Sequence, residues 1–164
     1  MKLQEFMIVD RQHLLLDGLH GEGPDLIEAI ESYLTTSAVP GVTWFETSVS
    51  PGVMKELFGK RRDFLVIEFK TLAEYRVLVT ARDYGTALEV AWFLTGTARL
   101  SKDIGRTFRF DGGDGGRYDV GAELDVFDWM DLASFVSLTR HALKQAVNEI
   151  TGKDGPTENE PGSW

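Results

Sequence analysis

The chain has no cysteine, which excludes disulfides, thiolate metal sites and a cysteine nucleophile and fits a reducing compartment. Long apolar runs are also missing. Phe6 to Val9 and Leu14 to Leu16 are too short for a signal-peptide core, and no run approaches the roughly 18 apolar residues of a membrane span. Cationic charge is scarce, with 17 Lys and Arg against 26 Asp and Glu and a formal net charge of -9. That balance disfavours attraction to nucleic acid or anionic lipid, which relies on cationic surface and counterion release. A cytoplasmic protein is expected, with no membrane or nucleic-acid partner.

Catalytic signatures are equally sparse. No Gly-x-Ser-x-Gly elbow puts a serine on a strand-to-helix turn, and the three histidines, His13, His20 and His141, are the only imidazoles for acid-base work. His141 falls on the polar side of the last helical stretch, and His20 lies among Gly18, Gly21 and Gly23. The loop Asp111 to Asp119 offers three carboxylates, Asp111, Asp114 and Asp119, but has neither the alternating ligands and distant glutamate of an EF-hand nor the lysine and helix of a phosphate loop. It reads as a hairpin turn. Asp125, Asp128 and Asp131 read as helix-start residues rather than ligands, with Asp128 as the expected N-cap and Asp131 in the first turn. No cofactor or metal site is expected. Lys60, Arg61 and Arg62, with Arg99, Lys102, Arg106 and Arg109, are the only basic concentrations, and they read as solvated turns and protected sheet edges.

What is present is an ordinary globular composition. The 164 residues are 43% hydrophobic and 26% charged, enough for one domain with one core. A single domain is expected over residues 1–151, followed by a flexible tail over 152–164 rich in breakers. Residues 2–9 suggest a first strand, with a loop from Asp10 to Gly23. Gly23-Pro24 starts a helix carrying Leu26, Ile27, Ile30, Tyr33 and Leu34 at helical spacing, stopped by Val39-Pro40-Gly41. Val42 to Val49 reads as a strand and Ser50 to Gly59 as a short helix. Further strands are expected at Thr107 to Asp111 and Tyr118 to Leu124. The last helix places Leu132, Phe135, Val136, Thr139, Leu143, Ala146, Val147 and Ile150 in one stripe.

The densest signal lies between Arg62 and Gly96. Phe64 to Phe69, Tyr75 to Ala81 and Ala87 to Leu94 alternate and follow one another too closely for parallel crossovers, so they are antiparallel neighbours. Taking Asp83 to Thr86 as a four-residue turn sets Val77 against Trp92, Val79 against Val90 and Thr80 against Glu89. Tyr75, Val77, Val79, Ala81, Leu88, Val90, Trp92 and Leu94 then share a dry face.

The fold class expected is α+β: an antiparallel sheet of about five to seven strands with two longer helices on one face, a two-layer single domain. The opposite, mixed face carries Arg76, Leu78, Thr80, Arg82, Glu89 and Phe93, apolar groups among a few charges, as in many recognition surfaces. These six are the candidate binding residues. With no catalytic signature, a non-catalytic binding or assembly module is expected, holding a protein partner or a second copy through this face or a sheet edge. The alternative is a small-ligand protein or enzyme with a pocket between sheet and helices, where Arg82 or Arg76 holds an anionic group and Glu89 acts on it.

Overall fold

The computed structural model describes residues 6–49, 62–97, 108–111, 117–120 and 124–152. Its core is a five-stranded antiparallel sheet in the order β1-β5-β4-β3-β2, formed by β1 (Phe6–Asp17), β2 (Val42–Val49), β3 (Arg62–Phe69), β4 (Tyr75–Tyr84) and β5 (Ala87–Thr97). Two helices, α1 (Gly23–Ser37) and α2 (Val126–Ile150), pack on one face. This is the expected α+β two-layer domain. A separate two-stranded ribbon pairs β6 (Phe108–Asp111) with β7 (Arg117–Val120). The expected short helix at residues 50–59, the glycine-rich turn at 112–116 and the tail beyond Gly152 lie outside the described residues.

Chain order and sheet order together explain the layering. β1 and β2 are the two edges, so α1 must travel from one side of the sheet to the other, and it does so across the dry face. Leu26, Ile30 and Leu34 of α1 are buried, as the helical spacing requires. The strands β2 to β5 then run back as a meander, with a 3-10 turn at Lys70–Leu72 between β3 and β4. From the sheet, Tyr75, Val77, Val79, Leu88, Val90, Trp92 and Leu94 are all buried in one cluster with α1 and α2. Fully burying each large aliphatic chain there contributes roughly 1.5–3 kcal/mol.

Three expectations change. The β4–β5 turn is the two-residue Gly85-Thr86, so Tyr84 pairs with Ala87, Val79 with Trp92, Thr80 with Ala91 and Arg82 with Glu89. The register therefore differs by two residues from the one expected, and Thr80 does not face Glu89. A shift of two preserves which side each residue faces, because strand side chains alternate with period two. Gly85 has φ 65 whereas Thr86 does not take positive φ; glycine at the first central position is what a tight type II′ hairpin needs.

The second change is β1, which runs to Asp17 instead of ending near Val9. Its inward positions include the polar Asp10 and Gln12 beside Leu14 and Leu16, which hid the alternation. Asp10 is accommodated because Arg140 of α2 reaches it at 2.5 Å. Between Ile8 and Asp10 the register against β5 shifts, a bulge that brings the remainder of β1 into step.

The third is the start of α2. The N-cap is Asp125, not Asp128: its Oδ1 accepts from Phe127 N at 2.7 Å and Asp128 N at 2.9 Å. Asp128 then stands in the first turn, where its charge favours the positive end of the helix dipole. Asp125→Ala should lower stability by about 1 kcal/mol, the usual loss for a capping carboxylate. Chemical denaturation of the two proteins measures this, with an unchanged midpoint arguing against the cap.

Candidate functional site

All six candidate residues lie on the sheet face turned away from the helices, yet the register sorts them into three zones. Nearest the hairpin turn, Leu15 of β1, Glu89 of β5 and Arg82 of β4 form one row. Arg82 Nε donates to Glu89 Oε2. His13 Nδ1 lies 3.9 Å from Glu89 Oε1, and its ring meets Phe93 edge-on, with centroids 5.5 Å apart at 85°. The Arg82 guanidinium also stands 6.0 Å from the centre of the Tyr84 ring.

The hydrogen bond from Arg82 is the main reason the Glu89 carboxyl sits below its ordinary value of 4.5. Partial burial opposes the shift, and the charges of Arg82, Arg62 and His13 reinforce it. Glu89 is consequently a carboxylate at neutral pH.

The middle zone is apolar. Phe93, Leu78 and Val66 are aligned across β5, β4 and β3, and Phe64, Val66 and Leu78 form a second buried cluster with Phe93 packed against it. Thr80 is also buried, its Oγ1 donating to the carbonyl of Asp63 at 2.8 Å. The expectation that this face is open to solvent is therefore corrected at its centre: Leu78, Thr80 and Ala91 are buried. Among the described residues neither helix contributes to the second cluster.

At the far end Arg76 Nε lies 2.7 Å from Glu68 Oε1. Arg76 and Arg82 are six residues apart on one strand, about 20 Å at the usual rise. One small ligand cannot engage both.

Sequence reading missed the contribution of β1. His13 and Leu15 complete the Arg82 end, and Leu15 is 58% exposed, as Tyr84 is at 63%. The available signal was the pair Leu14 and Leu16, which on a strand turns Arg11, His13 and Leu15 to the other side. His20 also acquires a place: its Nδ1 is 3.0 Å from the carbonyl of Gly85, and Gly21 N donates to Asp83 Oδ1 at 2.8 Å. These bonds tie the β1–α1 loop to the β4–β5 turn.

A groove of about 590 Å³ opens between the start of α1 and the ends of β2, β3 and β4. Arg82 lines it, together with Glu28, Glu31, Glu46, Asp63 and Asp83. This charge opposes an anionic ligand, and Arg76 and Glu89 are not among the lining residues. Burial, followed by the charges of Glu46 and Glu28, pushes the Glu31 carboxyl above its ordinary value of 4.5. Among the described residues no three ligating side chains converge for a metal, and no helix is long and apolar enough to cross a membrane.

No model of a known protein family matches the sequence, and no curated protein matches it significantly.

The two shifted glutamates bias stability in opposite directions. Ionised Glu31 disfavours the fold above its raised folded pKa, and that penalty is absent below 4.5. Glu31→Gln should therefore raise the melting temperature at pH 7, a gain within about 0.5 kcal/mol that vanishes in acid. Glu89 contributes stability above 4.5 that is lost as pH falls through its lowered folded pKa. Glu89→Gln should lower the melting temperature at pH 7 and have little effect once the wild-type carboxylate is protonated. Thermal melts of both variants from pH 7 into acid test these signs.

Proposed function

We propose that the protein is a non-catalytic binding module that holds a protein partner through the Arg82 end of its mixed sheet face. The observation that carries this reading is the exposure of Leu15 and Tyr84 beside the His13, Glu89 and Arg82 network. An exposed aromatic and an aliphatic chain next to a paired arginine are the ingredients of a protein-binding hot spot: apolar area to bury, with directional charge to fix orientation. Leu15 and His13 stand on β1, an edge strand of the five-stranded sheet, and both are exposed.

The same geometry argues against chemistry at this end. His13 is half exposed, with 51% of its side chain accessible, and Glu89 is committed to Arg82. A general base works best where water is excluded and its carboxylate is free for substrate. The buried middle of the face serves as the rigid support, since Leu78 and Phe93 pack with Val66 and Phe64.

Leu15→Asp combined with Tyr84→Ala tests the proposal with little risk to the core. A partner recovered with the wild-type chain should bind the double variant at least about tenfold more weakly, the loss expected when hot-spot contacts are removed. Its melting temperature should stay close to wild type. Equal affinity of the two proteins, measured by titration calorimetry, would refute a binding role for this end. Phe93→Ala would mix binding with stability, because Phe93 packs against the second cluster.

A further inference from the structure

The side of α2 turned from the core carries a second stripe. Phe127, Met130, Ser134, Leu138 and His141 fall within about 40 degrees of one line along the helix, at roughly 100 degrees per residue. At its N-terminal end Val126, Phe127 and Met130 are 72%, 77% and 63% exposed. Large apolar chains clustered in this way mark an interaction surface. Toward its C-terminal end the stripe borders a groove of about 710 Å³ against the end of α1, lined by Tyr33, Val39, Phe69, Phe135, Leu138 and His141. Tyr33 and His141 form its rim, with ring centroids 5.4 Å apart.

We propose that this face joins two copies of the chain, with α2 packed antiparallel to its mate about a two-fold axis at Ser134. That register sets Met130 against Leu138 and Phe127 against His141. Each copy thus inserts its protruding Phe127 into the other's groove, the isologous arrangement in which one patch supplies both the projection and the recess. Ser134 on the axis is small enough for the helices to approach closely.

Charge favours the same orientation. Asp131, about 60 degrees from the centre of the stripe, flanks it in the N-terminal half of α2, whereas His141 lies on the stripe in the C-terminal half. Antiparallel packing opposes the two helix dipoles, setting the negative C-terminal end of one beside the positive N-terminal end of the other. Asp131 stands opposite Ser137, one turn from the mate's His141. A face that carries the projecting Phe127 and a matching recess in two-fold register selects a second copy as its occupant.

Sedimentation equilibrium of the full chain across the micromolar range should give twice the mass of one chain. Phe127→Asp should weaken dimerisation at least tenfold while leaving the circular dichroism of the folded chain unchanged, since Phe127 is exposed. Ser134→Cys introduces the only thiol in the protein, and on a two-fold axis it meets its own copy closely enough to oxidise to a disulfide-linked dimer. Thr86→Cys, in the distant hairpin turn, should not. A single-chain mass throughout the range overturns the proposal, as does a dimer indifferent to Phe127→Asp in which Ser134→Cys fails to cross-link. A monomer that loses a different bound protein on Phe127→Asp would also overturn it, assigning the face to a foreign partner.

Discussion

The indole of Trp92, fully buried between the sheet and its helices, with the Arg140 guanidinium 5.1 Å from its ring centre, ties together segments far apart in the chain. Arg140 belongs to α2 and holds Asp10 of β1, while Gln12 of the same strand pairs with Trp92 on β5. The layer therefore joins the sheet's first and fifth strands to the final helix. A cation over an aromatic face adds roughly 0.5–2 kcal/mol, but its larger effect is positional. It lets a partly buried arginine and a partly buried aspartate coexist at the margin of an apolar core, which a lone charge could not do without a heavy desolvation cost.

The side of the sheet turned away from the helices is not uniform. Its centre is a small second core of Phe64, Val66 and Leu78, with the Arg82–Glu89 and Arg76–Glu68 pairs on either side. Rigid apolar support beneath a charged and aromatic end would serve the proposed recognition role, because ordering entropy is then lost on folding rather than on binding. The acidic groove beside α1 is a different surface, and its carboxylates keep it apart from the anion-binding role that Arg82 alone suggested.

Much of the architecture was legible in advance. Closely spaced alternating runs declared β3, β4 and β5, and the helical spacing of Leu26, Ile30 and Leu34 and of Leu132, Phe135 and Val136 declared the two helices, because burial leaves its period in the sequence. The side assignment of Arg76, Leu78, Thr80, Arg82, Glu89 and Phe93 survived a wrong turn length for the same reason: parity is robust to a shift of two. The second half of β1 was not legible, since Asp10 and Gln12 break the apolar pattern, and Asp10 is satisfied by Arg140, over a hundred residues away.

By itself, then, the amino-acid sequence determined the kinds of element and which flank of each central strand is dry, because both are local consequences of where apolar side chains recur. Only the tertiary structure decided that β1 closes the sheet beside β5, that Leu78 and Thr80 are buried while Leu15 and Tyr84 are exposed, and that His13 joins Arg82 and Glu89. Those outcomes depend on register and on contacts between remote segments, which no local pattern of side chains encodes.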